Sequence, residues 1–127
     1  MLQAFIVFIG GGLGAASRHG VNLLVARLIG GSFPWSTFII NITGSLLMGL
    51  IAGYFAFRAG PGWPQHARLF LTTGILGGYT TFSAFSLDAA LLFEGGATVR
   101  AIVYVVGTVV LALFGLFAGL WLIRAVS

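Results

Sequence analysis

The sequence predicts an all-α membrane protein of four transmembrane helices whose third helix is broken. Three observations point there. Hydrophobic residues make up 59% of the 127-residue chain and charged residues 6%, against about 25% charged in an ordinary soluble domain. A soluble fold of this size could not cover its surface with so few charges. Four stretches approach or exceed the roughly 20 apolar residues that a spanning helix needs. The third of them carries a cluster of glycines and threonines near its middle.

The first span is expected at about residues 2–29, interrupted by the glycines at 10–14 and by Arg18. The second is expected at about 35–57, the third at 69–93 and the fourth at 99–123. The connections at 30–34 and 59–64 are runs of glycine, proline and small or aromatic residues, and Gly95 with Gly96 reads as a tight turn. None is long enough for an extramembrane unit, so residues 1–127 form one transmembrane domain whose chemistry lies within the membrane. Gly10 and Gly14, Gly49 and Gly53, and Gly115 and Gly119 are each four apart, the small-residue spacing that lets helix backbones approach closely. Four helices leave little interior, which leads us to expect packing against a second copy.

The net charge of +4 rests on six arginines spread along the chain, mostly at the ends of apolar stretches. No basic run exists, so they read as headgroup anchors and not as a nucleic-acid surface. With a cytoplasmic N-terminus, Arg58, Arg68 and Arg124 lie inside and Arg27 and Arg100 outside, setting Arg18 apart as intramembrane. Orientation follows an excess of such charges, and an excess of one is close to none, so insertion in both orientations is an alternative to a single one. The N-terminal stretch has no basic region ahead of its apolar run, and no cleaved signal peptide is expected. There are no cysteines, which excludes disulfides and thiolate metal sites. His19 and His66 are isolated, and no zinc spacing, phosphate loop or nucleophile–base pair is present. The chain does not read as an enzyme.

In a bilayer each polar group needs a partner or a purpose. In the third span three glycines, four threonines and Tyr79 fall between Thr72 and Thr81. Gly77 and Gly78 continue a helix poorly, so one half-helix is expected before Gly77 and another from about Thr81. Carbonyls freed at such a break suit a cation and freed N–H groups an anion; the alternative is a continuous glycine-rich helix packed on a neighbour. Phe82 and Phe85 share a helical face and either present electropositive ring edges to an anion or simply pack. Thr37, Asn41 and Ser45 make a polar stripe at spacing four, either a lining or interhelical hydrogen bonding. Tyr104 and Thr108 repeat the spacing in the last span. Arg18 is costly within a membrane unless it snorkels. Asp88 is the single acid inside a span and a candidate partner for Arg18.

The runs Gly11-Gly12-Leu13-Gly14-Ala15-Ala16-Ser17-Arg18, Asn41-Ile42-Thr43-Gly44-Ser45 and Thr73-Gly74-Ile75-Leu76-Gly77-Gly78-Tyr79-Thr80-Thr81-Phe82-Ser83-Ala84-Phe85-Ser86 together resemble the Fluc (CrcB) fluoride channels. The resemblance covers essentially the whole chain, and the third run is the most specific. It implies an antiparallel, dual-topology homodimer in the bacterial inner membrane with two fluoride pathways along the dimer interface. It implies a structural sodium ion on the two-fold axis, held by backbone carbonyls that fall on Gly77 and Thr80. It also implies that Asn41, Phe82, Ser83, Phe85, Tyr104 and Thr108 line the fluoride pathway and that Arg18 matches the first-helix arginine. Asp88 stands where the family usually has glutamate, Tyr79 where a smaller apolar residue is common, Ala84 where many members have threonine and Thr108 where serine is frequent.

The expected function is therefore passive fluoride export. A small multidrug-type proton-coupled antiporter is a rival of similar architecture, but it would need an acid in the first span, where this chain has Arg18. A non-transporting membrane assembly subunit would explain the helices without giving residues 77–85, Asn41 and Arg18 a reason to occur together.

Overall fold

The computed structural model describes residues 1–31, 33–58 and 65–126 and is helical almost throughout. The expected breaker residues Ser32 and 59–64 lie outside the described residues. Helix α1 covers Leu2–Leu28 and α2 covers Trp35–Phe57. The third apolar stretch is helical over residues 65–79 (α3); Thr80 and Thr81 are extended (φ −80°, ψ 159° and φ −151°, ψ 117°); α4 then covers Phe82–Glu94. The last helix, α5, covers Thr98–Ala125. Four stretches, Leu2–Leu28, Trp35–Phe57, Gln65–Glu94 and Thr98–Ala125, are long and apolar enough to cross a membrane.

The third stretch differs from its sequence reading in two ways. First, Leu69–Leu76 winds as a wider π-helix. The hydroxyl of Thr72 donates to the Arg68 carbonyl at 2.7 Å, the kind of back-bond that loosens a helix. Second, helical geometry was expected to stop at Gly77 and Gly78, but it runs through both to Tyr79. At Gly78 the glycine serves packing instead, since a Cβ there would collide with the Gly11 carbonyl, whereas a Cβ on Gly77 would meet only the Thr72 carbonyl at 3.6 Å. The residues that leave the helical region are Thr80 and Thr81, of which the β-branched threonine type tolerates extended backbone well.

Two pairs of helices approach at backbone distance. On α1, Gly10 lies against Gly74, where an added Cβ would sit 2.9 Å from the Gly74 Cα, and Gly14 lies against the Ile75 carbonyl and the Tyr79 amide. On the other pair, Gly49 of α2 abuts the Leu116 carbonyl of α5, an added Cβ on Gly119 of α5 would sit 2.6 Å from the Leu50 amide nitrogen, and Gly53 lies against Ile123. The small-residue repeats expected to receive a second copy are thus largely occupied within the chain. Gly115 has looser surroundings, its added Cβ lying 3.4 Å from the Ile42 carbonyl. The pairings of 49 with 116 and 53 with 123 also show that α2 and α5 run parallel, as alternate spans of a chain with short connections must.

Between the pairs sits a small core of Ile40, Leu76, Phe85, Ala101 and Tyr104, with Thr37 and Thr108 buried beside them. Most other large apolar side chains face outward, including Phe8, Phe114, Phe117 and Trp121, which suits a hydrocarbon solvent. Helix α4 ends in a Schellman motif: Ala97 N–H donates to Leu92 at 2.9 Å and Gly96 N–H to Phe93 at 3.1 Å. Gly96 supplies the positive φ of 84° that this closure requires.

Close backbone approach predicts unequal tolerance of glycine substitution. Gly14→Val should destabilise the detergent-solubilised protein by about 1–3 kcal/mol or abolish folding, whereas Gly12→Ala, with nothing within 4 Å of the added carbon, should be neutral or slightly stabilising. Thermal unfolding followed by far-UV circular dichroism reads both.

Candidate functional site

An open-sided cleft of about 400 Å³ lies between α2, the start of α4 and α5. Asn41, Gly44, Ser45 and Met48 line it from α2, Thr80, Thr81, Phe82 and Phe85 from the third stretch, and Thr108 with apolar neighbours to Leu116 from α5.

Two consecutive extended residues interrupt the hydrogen-bond ladder, and in a bilayer those backbone groups need replacement partners. For Thr81, Asn41 supplies them. Its Nδ2 donates to the Thr81 carbonyl at 3.0 Å, and its Oδ1 accepts from the Thr81 amide at 2.9 Å. The side-chain amide thus pairs with Thr81 as a neighbouring strand would. Thr81 in turn caps α4: its Oγ1 accepts from the Ala84 amide at 3.1 Å and lies 3.4 Å from the Ser83 hydroxyl. One Nδ2 hydrogen of Asn41 is left beyond the bond to Thr81.

These bonds also determine which carbonyls lose their helical donors. The Thr81 amide, which a continuing helix would offer to Gly77, goes to Asn41. The Ala84 amide, which would reach Thr80, goes to the Thr81 hydroxyl. Gly78, between them, receives Arg18, whose Nε donates to its carbonyl at 3.2 Å. A guanidinium at a helix C-terminus is favourably placed in the helix field. The Leu76 carbonyl accepts both the amide and the hydroxyl of Thr80, each at 3.0 Å. Tyr79 is tied to α2 through its hydroxyl, 3.0 Å from the Thr43 Oγ1.

Aromatic rings form a chain leading out of the cleft. Phe82 and Phe85 lie 5.6 Å apart, Phe85 and Tyr104 5.2 Å apart, and Tyr104 and Phe33 5.5 Å apart. Phe85 is buried but Phe82 is 78% exposed in the single chain. The Tyr104 hydroxyl donates to Asp88 at 3.2 Å. Arg18 and Asp88 therefore have separate partners, and no ion pair joins them within the chain. Thr108 is the contrary case. Its hydroxyl is buried without a hydrogen-bond partner among the described residues, in a residue only 4% exposed that lines the cleft.

The cleft thus brings together Asn41, Phe82, Phe85, Thr108 and Thr80 of the expected residues. Ser83 is exposed at its edge, Tyr104 and Asp88 sit behind Phe85, and Arg18 and Gly77 lie on the α1 side. Sequence reasoning passed over Thr81, although a threonine directly ahead of an apolar helical run is a capping signal. It also passed over the joining of Thr43 to Tyr79, which no spacing along one helix reveals.

Four helices long and apolar enough to cross a membrane, packed around a cleft with a polar interruption, define a multi-pass membrane protein. Residues 5–120 match the family described as CrcB-like protein, Camphor Resistance (CrcB). The chain is 65% identical over 122 residues to the fluoride-specific ion channel FluC of Rhodopseudomonas palustris strain BisB5, covering 96% of this chain and 97% of that one. It is 60% identical to FluC 2 of Nitrobacter hamburgensis, covering 97% and 98%. It is 53% identical to FluC of Beijerinckia indica over the full length of both. The chain belongs to the CrcB family of ion channels, and it is not an enzyme.

Removing the Asn41 amide should free both backbone groups of Thr81. Asn41→Leu is expected to lower stability by about 1–3 kcal/mol for each group left unpaired. In hydrogen exchange the Thr81 amide should lose protection while the Thr80 amide, bonded to Leu76, keeps it.

Proposed function

We propose that this chain is a fluoride channel that releases the anion passively from the cytoplasm. The relatives carry that name, and the observation in this chain that supports it best is the uncommitted hydroxyl of Thr108 beside the cleft. A buried hydroxyl without a partner costs about 1–3 kcal/mol, and a small, strongly accepting anion is the kind of ligand that offsets such a cost. The second Nδ2 hydrogen of Asn41 and the electropositive ring edges of Phe82 and Phe85 complete a lining of donors without a fixed charge. Weak, multiple donors favour conduction over tight binding. A negative-inside membrane drives the anion outward by about 2.3 kcal/mol per 100 mV, so no nucleotide or proton coupling is needed.

The working unit in this reading is an antiparallel homodimer in the bacterial inner membrane, with two pathways and the third helix of each copy broken at Thr80 and Thr81. The open side of the cleft and the 78% exposure of Phe82 support a second copy completing the lining, and the near balance of arginines between the two membrane sides supports insertion both ways.

The expected sodium site fits the residues present. Gly77 and Thr80 are the carbonyls whose helical donors are diverted, to Asn41 and to Thr81 respectively, and a hard cation takes such neutral oxygens. Held there, the ion would tie the half-helices together and offset the cost of an anion near the midplane. Asn41 and Arg18 position those carbonyls, by fixing Thr81 and by occupying Gly78.

Fluoride release from liposomes, with valinomycin carrying potassium, tests the reading. Wild type should release fluoride rapidly and retain chloride. Thr108→Val should slow release by about tenfold, equivalent to ~1.4 kcal/mol of barrier, yet leave the protein as stable or more so, because the orphan hydroxyl is gone. Vesicles that hold their fluoride around a folded, dimeric wild-type protein would exclude conduction. Separately, replacing sodium by N-methylglucamine on both sides should abolish release if the cation is structural; unchanged release would remove it from the mechanism.

A further inference from the structure

Resting on that reading, we propose that Phe33 is the outer ring of the pathway and sets selectivity at the end of the bundle where α2 and α5 begin. Helices α2 and α5 run parallel, so Trp35 and Thr98 start at the same end. Helix α4 runs toward that end, from Phe82 in the cleft to Glu94. The rings Phe82, Phe85, Tyr104 and Phe33 therefore follow one another from the cleft outward, with successive centroids 5.6, 5.2 and 5.5 Å apart. Nothing of Tyr104 is exposed, its accessibility being 0%. An anion leaving along the rings must pass the residue covering Tyr104 on this side. Phe33 meets Tyr104 edge to face, at an interplanar angle of 88°.

Phe33 is held by its own neighbours rather than by the cleft. Its ring lies 4.6 Å from Trp35 and 5.8 Å from Phe38, which makes a small aromatic cluster at the mouth. The chain enters this cluster from Gly30 and Gly31, both at positive φ of 64° and 91°, conformations open to glycine at little cost. The ring is thus held on its α2 side by Trp35 and Phe38. A fixed aromatic at the mouth excludes water from the ring track, and its edge can meet a partly dehydrated anion. Its bulk would narrow the way past Tyr104 for a larger anion.

Fluoride and chloride release from liposomes, measured on wild type, Phe33→Ala and Phe33→Leu, tests this. Opening the mouth with Phe33→Ala should speed fluoride release and produce chloride release absent from wild type. Phe33→Leu keeps most of the volume but not the electropositive edge, so it should stay chloride-tight and release fluoride about tenfold more slowly, ~1.4 kcal/mol of added barrier. If the alanine variant does not fold, the leucine variant alone carries the test. Wild-type rates and selectivity in the folded variants, accompanied only by a lower thermal midpoint, would overturn the inference and leave Phe33 as packing. Slower, still chloride-tight release by Phe33→Ala would overturn the mouth role as well. Failure of wild type to release fluoride would instead strike the channel reading itself.

Discussion

Two extended residues in the middle of an apolar stretch leave backbone donors and acceptors without their helical partners, and the amide of Asn41 meets that demand for Thr81 by pairing with both its groups. Much of the cleft depends on this pairing. It holds Thr81 where its hydroxyl caps α4, and the cap directs the first turn that carries Phe82 and Phe85. It diverts the amide that Gly77 would otherwise have received. Arg18 and the Thr43–Tyr79 contact secure the other side, where α3 ends. A polar side chain within the membrane thus has a structural task first, and only what remains of its hydrogen-bonding capacity is open to other partners.

Close packing makes such a site tolerable in so short a chain. With α1 against α3 and α2 against α5 at glycine distance, backbone dipoles and dispersion contacts do much of what side chains do in a soluble core. The buried side-chain core is correspondingly small. The outward face can then be almost uniformly apolar, because little specificity is asked of it apart from meeting lipid or another copy.

The four apolar helices were legible from composition and length, since a span is a one-dimensional property of the chain. The gathering of Asn41, Phe82, Phe85 and Thr108 around one cleft could be anticipated as a set of polar or aromatic exceptions in a bland background. Their partners could not. Spacing along a helix says which residues share its face but not which helix that face meets, so the repeats holding Gly49 and Gly119 marked close packing without showing that they meet each other's helices. The same blindness hid the attachment of Asn41 to Thr81, forty residues away. The position at which α3 stops was misread for a local reason. Gly77 and Gly78 have low helix propensity, but the close contact of Gly78 with Gly11 of α1 works against it, and the β-favouring threonines that follow decide where the geometry changes.

At Thr80 and Thr81 the carbonyl end of α3 faces the amide end of α4. Each helix end carries roughly half a unit charge, negative on the first and positive on the second. From a distance the two cancel, so the pair adds little to the electrostatic cost of placing the chain in hydrocarbon. Within a few ångströms they do not cancel, so the two sides of the same short segment present fields of opposite sign. These fields come from peptide dipoles, which do not titrate. A membrane protein built this way keeps its midplane polarity unchanged as the solution on either side turns acid or alkaline, a property that an ionisable side chain at the same depth would not give it.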